Sequence, residues 1–125
     1  MAFPALAQNW GRPTYSSPVA ISRDDRLIFV VNPSDDSVSV IRSDNNTRIT
    51  QIAVGDEPQS IALTPDTQFA YVANAAGNSV SVVRITDAAF DSFNANVAST
   101  LTTGAEPWNI VSSPDGQRIF VANSV

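Results

Sequence analysis

Cysteine, histidine and lysine are all absent from this 125-residue chain. Without cysteine, disulfides, thiolate nucleophiles, iron–sulfur centres and covalent haem attachment are excluded within this stretch. Without histidine there is no Ser-His-Asp triad, no usual zinc site and no side chain suited to acid–base work near pH 7. Without lysine, every basic residue is an arginine, and 7 of these stand against 12 acidic residues. The net charge of −5 opposes binding to a nucleic-acid backbone and leaves no polybasic patch for an anionic membrane. No apolar run approaches the roughly 18 residues of a membrane-spanning helix. Carboxylates, arginines, tyrosines and hydroxyls remain for chemistry, and they form no catalytic constellation.

What the chain does contain is a repeat. Phe69-Ala70-Tyr71-Val72-Ala73-Asn74 is matched upstream by Phe29-Val30-Val31-Asn32 and downstream by Phe120-Val121-Ala122-Asn123. Each copy follows a turn signal: Arg23-Asp24-Asp25, Pro65-Asp66-Thr67 and Pro114-Asp115-Gly116. Asn74 lies 42 positions after Asn32, and Asn123 lies 49 after Asn74. A period near forty residues built of short strands and turns points to a repeat architecture.

Each unit reads as four strands. In the first, Val19 to Ser22 leads through the turn to Leu27–Val31. The turn formers Asn32 to Asp36 follow, then Val38-Ser39-Val40-Ile41. Ser43-Asp44-Asn45-Asn46 is a hairpin signal, and Ile49 to Val54 closes the unit before Gly55. The second unit runs from Ile61-Ala62-Leu63-Thr64 through Phe69–Ala73 and Val80-Ser81-Val82-Val83. Its extra residues fall in 85–99, expected to form a longer hairpin loop pinned to the body by Phe90 and Phe93, with the fourth strand near 97–102. The third unit starts at Trp108 and reaches Asn123. Glu57 and Glu106 precede prolines and are expected to be extended.

Strands such as Leu27–Val31 and Phe69–Ala73 do not alternate cleanly between apolar and polar residues, so they belong to strands covered on both faces. No segment has the length and 3.6 periodicity of a covering helix. The cover must be sister sheets, which makes the expected fold all-β: β-propeller blades of four antiparallel strands, about two and a half of them. On this reading residues 1–16 are a lead-in, 17–57 blade 1, 58–106 blade 2 and 107–125 the first half of blade 3. The lead-in carries Trp10, Gly11, Pro13 and Tyr15, which argue against helix. Ala5-Leu6-Ala7 there is an A-x-A pattern like the end of a secretion signal, without a charged n-region. Tyr71 and its equivalents Phe29 and Phe120 are expected as wedges between blades.

Propellers close with about four to eight blades. The expected partners are therefore the remaining blades of a longer propeller, with this chain its N-terminal portion, or alternatively copies of itself in a ring. Five residues where each fourth strand crosses to the next blade could line a binding mouth at the channel rim: Asp56, Glu57, Gln59, Glu106 and Trp108. The plainer account of Glu-Pro is that it sets the crossing geometry. Asp24-Asp25 and Asp35-Asp36 lack the spacing of a calcium loop and read as solvated turn acids. No cofactor or metal site is indicated. Asn45-Asn46-Thr47 is a formal glycosylation sequon on a hairpin tip.

As a set, Tyr71-Val72-Ala73-Asn74, Phe120-Val121-Ala122-Asn123, Ser37-Val38-Ser39-Val40-Ile41, Ser79-Val80-Ser81-Val82-Val83, Val54-Gly55-Asp56-Glu57-Pro58 and Ser113-Pro114-Asp115-Gly116 resemble the YVTN-type β-propeller repeat family. The resemblance covers roughly residues 17–125. Phe29-Val30-Val31-Asn32 departs from the tetrapeptide, and Arg23 stands where the turn proline is expected. The resemblance implies a surface-layer-type, secreted or envelope protein. It implies a non-catalytic scaffold for protein or carbohydrate binding outside the cytoplasm. The alternative it leaves open is part of a lactonase-like propeller hydrolase with catalytic residues partly outside this chain. Fold alone does not choose.

Overall fold

Three antiparallel sheets follow one another along the chain in a computed structural model, which describes residues 18–125. The lead-in, with its A-x-A pattern, Trp10 and Tyr15, lies outside the described residues. Blade 1 comprises β1 (Val19–Ile21), β2 (Leu27–Asn32), β3 (Ser37–Arg42) and β4 (Thr47–Ala53), paired in that order. Blade 2 comprises β5 (Pro58–Leu63), β6 (Phe69–Asn74), β7 (Ser79–Asp87) and β8 (Asn94–Thr102), again in sequence order. Blade 3 supplies β9 (Pro107–Ser112) and β10 (Ile119–Asn123). The first strands lie close together, β1 against β5 and β5 against β9. The fourth strands splay, so the sheets open like a fan.

The first turn of every blade is built the same way. Ser22, Thr64 and Ser113 donate their hydroxyls to Oδ1 of Asp24, Asp66 and Asp115 at 2.6, 2.6 and 2.5 Å. Each of those carboxylates also accepts the backbone N–H two residues on, from Arg26, Gln68 and Gln117. The hydroxyls in turn accept the N–H groups of Leu27, Phe69 and Arg118. The next residue, Asp25, Thr67 or Gly116, is left-handed. Arg23 in place of proline therefore changes nothing essential, because the turn is held by its hydroxyl and carboxylate.

Packing between sheets supplies the core. Leu27, Phe29, Val31, Val38, Val40 and Ile52 of blade 1 meet Ile61, Ala70, Val72, Val83 and Ile85 of blade 2. Ala62, Ala73 and Val80 of blade 2 meet Ile110 of blade 3, flanked by Tyr71, Ile119 and Val121. Phe29 is fully buried and Tyr71 half-buried, each facing the following blade. Phe120, the third aromatic at this position, is 57% exposed, and its side of blade 3 meets no further sheet among the described residues.

Two expectations are corrected. The loop placed at residues 85–99 is mostly strand, because β7 runs to Asp87 and β8 begins at Asn94, leaving residues 88–93 as the connection. The added residues lengthen a hairpin whose ladder continues through Ile85↔Ala95, which satisfies backbone groups that a loop would leave to water. Its tip does pack on the body. Phe93 lies 6.2 Å from Phe29, and the Phe90 ring sits beneath Arg26 and Arg42 at 4.9 and 4.3 Å. Glu57 and Glu106 are not extended: their φ values are 52° and 50°. A left-handed residue costs on the order of 1 kcal/mol or more. Hydrogen bonds at both ends of each glutamate hold it there.

Candidate functional site

Each crossing from a fourth strand to the next blade is assembled from a small set of repeated residues. Asn74 is fully buried and donates through Nδ2 to Ser79 and Ser81 at 3.1 and 2.9 Å. Asn32 makes the same bonds to Ser37 and Ser39 at the same distances. The incoming crossing lies directly on this amide. A Cβ added at Gly55 would come within 2.4 Å of Asn74 Nδ2, and one at Gly104 within 2.8 Å of Asn123 Nδ2. Glycine is required at Gly55 for that close approach, where the Gly55 N–H also donates to Ser81 Oγ at 3.2 Å.

Two residues further on the chain is latched to both neighbouring blades. The Glu57 N–H donates to Asp36 Oδ1 at 2.9 Å, while its carbonyl accepts the Ala75 N–H at 2.9 Å. The Glu106 N–H donates to Asn78 Oδ1 at 3.0 Å, and its carbonyl accepts the Ser124 N–H at 2.8 Å. Asp36 and Asn78 precede their third strands in left-handed conformation, with φ of 51° and 49°. Short polar side chains such as these tolerate that region best. Sequence reasoning took Asp36 as a solvated acid and passed over Asn78. The available signal was an Asp or Asn directly before the Ser-x-Ser strand in both units.

These latches put both crossings on one rim, together with the loops between second and third strands. The structure therefore brings Asp56, Glu57 and Gln59 together at one crossing, with Glu106 and Trp108 one blade further along the same rim. The Asp56 and Glu57 side chains are exposed; Gln59 Nε2 approaches Glu57 Oε1 at 3.5 Å, a weak contact. Glu106 Oε2 accepts the Ser124 hydroxyl at 2.8 Å. Gln59 and Trp108 occupy equivalent irregularities in the pairing of β5 and β9. The Trp108 carbonyl is bound by Ser60 Oγ at 2.8 Å, while the residue as a whole is 48% exposed. The rim thus carries both exposed carboxylates and an exposed aromatic residue.

Elsewhere the acids have structural partners. Hydrogen bonds from Ser22 and then Arg26 pull Asp24 down to about 2, and Thr64 and Ser113 lower Asp66 and Asp115 in the same way. Arg42 grips Asp44 through two 2.8 Å bonds, which hold that carboxyl below its usual range. On the outer side of the fan, a groove of about 400 Å³ opens between β4 and β8, lined by Thr50, Gln51, Phe93, Asn94 and Asn96 among others. None of the five rim residues lines it.

Sister sheets of sequential four-stranded topology, latched along one rim, define a β-propeller of the YVTN type. Residues 4–125 match the family described as YNCE-like β-propeller, and the chain belongs to it. Among solved structures it is similar to hydrazine synthase of Kuenenia stuttgartiensis, with 29% identity and a TM-score of 0.77 over 97% of this chain and 33% of that one. It is similar to a functionally unknown protein of Desulfotomaculum acetoxidans, at 26% identity and a TM-score of 0.73 over 89% and 36%. A candidate 6-phosphogluconolactonase of Bacteroides fragilis shares the fold at 18% identity, with a TM-score of 0.74 over 86% and 32%. The chain spans about a third of the length of each of these proteins. No curated protein matches it.

Proposed function

We propose that this chain is a non-catalytic propeller scaffold whose crossing rim binds protein or carbohydrate, in secreted form or at the cell envelope. The observation that carries the proposal is Trp108. Trp108 is 48% exposed, two residues after Glu106, on the rim shared with Asp56, Glu57 and Gln59. An exposed aromatic ring on a rim that also carries carboxylates suits the apolar face and hydroxyls of a sugar, or an aromatic anchor point on a protein. The blade framework fixes the rim backbone while leaving those side chains outward, the usual division of labour between scaffold and binding loop. The envelope setting rests on the family resemblance. No helix among the described residues is long and apolar enough to cross a membrane.

The test is a panel of immobilised envelope polysaccharides and proteins probed with the chain and with Trp108→Ala. The expected result is at least a tenfold loss of retention at about unchanged circular dichroism, the scale of a hot-spot truncation. Wild-type retention by Trp108→Ala on every ligand would overturn the assignment. The competing reading, a lactonase-like hydrolase, would be favoured by turnover of a δ-lactone that is abolished in Glu57→Gln or Glu106→Gln.

A further inference from the structure

We propose that the groove between β4 and β8 is a second binding site, separate from the crossing rim, for an uncharged oligosaccharide. Both walls belong to complete four-stranded blades. The groove's volume of about 400 Å³ is that of a small-molecule site. Ile52, Phe93 and Ala95 line it and also belong to the core between the blades, so its floor is apolar. Phe93 is half-buried and held by its contact with Phe29. The shape of the groove depends on the lengthened hairpin of blade 2, which supplies Phe93 and Asn94. There β7 and β8 have 9 residues each, against 6 and 7 in β3 and β4.

The polar groups around this floor are neutral, for no lining residue carries a charge. Thr50 pairs with the core residue Val40 as Ile52 pairs with Val38, which puts the Thr50 side chain on the groove face. Its hydroxyl makes no hydrogen bond among the described residues. Asn94 Nδ2 donates to Thr86 Oγ1 at 2.9 Å, which leaves Asn94 Oδ1 a fixed acceptor. β4 and β8 are last in their sheets, so outward main-chain N–H and C=O groups add donors and acceptors along both walls. A sugar matches this surface: its C–H faces suit the apolar floor, and its hydroxyls both donate and accept. A carboxylate or phosphate on the ligand would find no ion pair in the lining and would face a chain of net charge −5. An added peptide strand is the poorer fit, because both walls are bulged. The pairing skips Ile49 in β4 and Ala98 in β8, and such irregularities blunt a free edge.

The test is amide NMR of the isotope-labelled chain, titrated with the neutral disaccharides cellobiose, maltose and diacetylchitobiose and with the acidic digalacturonate. At least one neutral sugar is expected to give saturable shifts at residues 50–53 and 93–97. In Thr50→Val, which keeps the side-chain shape, that sugar is expected to bind about fivefold more weakly, the scale of one net hydrogen bond. Val97→Arg puts a long side chain at a 39% exposed groove position and is expected to abolish the shifts. No groove shift with any neutral sugar would overturn the proposal, as would unchanged affinity in Thr50→Val or digalacturonate binding as tightly as the best neutral sugar. Groove shifts produced instead by an alternating Thr-Val hexapeptide would overturn it in favour of strand addition. Shifts confined to Asp56, Glu57, Glu106 and Trp108 would support the rim as the sugar site and overturn this one.

Discussion

The contact between blades 1 and 2 and the contact between blades 2 and 3 are assembled from the same repeat, yet they bury different side chains. Both share the rim latch, Glu57 on Asp36 and Glu106 on Asn78. Behind the first latch stands a core containing Leu27, Phe29, Val40, Ile61, Val72 and Ile85, covered by the Phe90–Phe93 tip and its two arginines. Behind the second are mainly Ala62, Ala73, Val80 and Ile110, with side-chain bonds from Ser60 to the Trp108 carbonyl and from Ser112 to the Leu63 carbonyl. Polar latches align sheets; apolar volume holds them together. Blade 3 should be the part that opens first.

The largest effect expected from this difference comes from the aromatic wedge. Phe29→Ala empties a fully buried site at the first contact and should cost about 3–5 kcal/mol in urea unfolding. Tyr71→Ala, the matching and half-buried wedge at the second contact, should cost less, about 1–2 kcal/mol. Equal losses would mean that the two contacts carry equal weight.

A smaller gap is expected between the crossing glycines. Gly55→Ala drives a methyl into the buried Asn74 amide and should destabilise by about 1–3 kcal/mol. Gly104→Ala meets Asn123, an exposed side chain that can turn away, and should cost less. Thermal melts of the two variants compare them directly. If Gly104→Ala were the more damaging, Asn123 would be held as rigidly as Asn74.

Acid should act most weakly and should erase the contrast, because the Ser/Thr–Asp turn is common to all three blades. Asp24 titrates at about 2 in the folded chain against 3.8 ordinarily, and Asp66 and Asp115 are lowered too. A depressed folded pKa means that the unfolded chain takes up protons first. The contribution is full above about pH 4 and is lost as pH falls towards about 2. These carboxylates are solvent-exposed, so the loss should be small and sensitive to salt. Asp24→Asn keeps an acceptor oxygen in the turn. Its melting temperature should fall less than the wild type's between pH 4 and pH 2, and a parallel fall would remove Asp24 from the account.

Much of this fold was legible in the residues. Turn by turn, the hydroxyl, carboxylate and small residues that close a blade are local, so their spacing announces them. Phe90 and Phe93 also announced a packed hairpin tip, because two aromatics in a polar segment need a surface. The rim residues were legible as neighbours along the crossing. Their conformation was not: the left-handed Glu57 is imposed by Asp36, distant in sequence, and by Ala75 on its own blade. Local pre-proline sterics pointed the other way. The length of β7 and β8 was hidden for a related reason, since a polar segment such as Asn94-Ala95-Asn96 becomes strand only when a partner continues the ladder.

By itself the sequence determined the unit: four strands, their order, the turns between them and the need for sister sheets on both faces. Those features follow from short-range stereochemistry and from periodicity, which every copy carries within itself. Only the tertiary structure decided what each copy of the unit does. The same aromatic is a buried wedge at Phe29, half-covered at Tyr71 and uncovered at Phe120, where no further sheet stands among the described residues, because burial belongs to the neighbouring sheet and not to the residue.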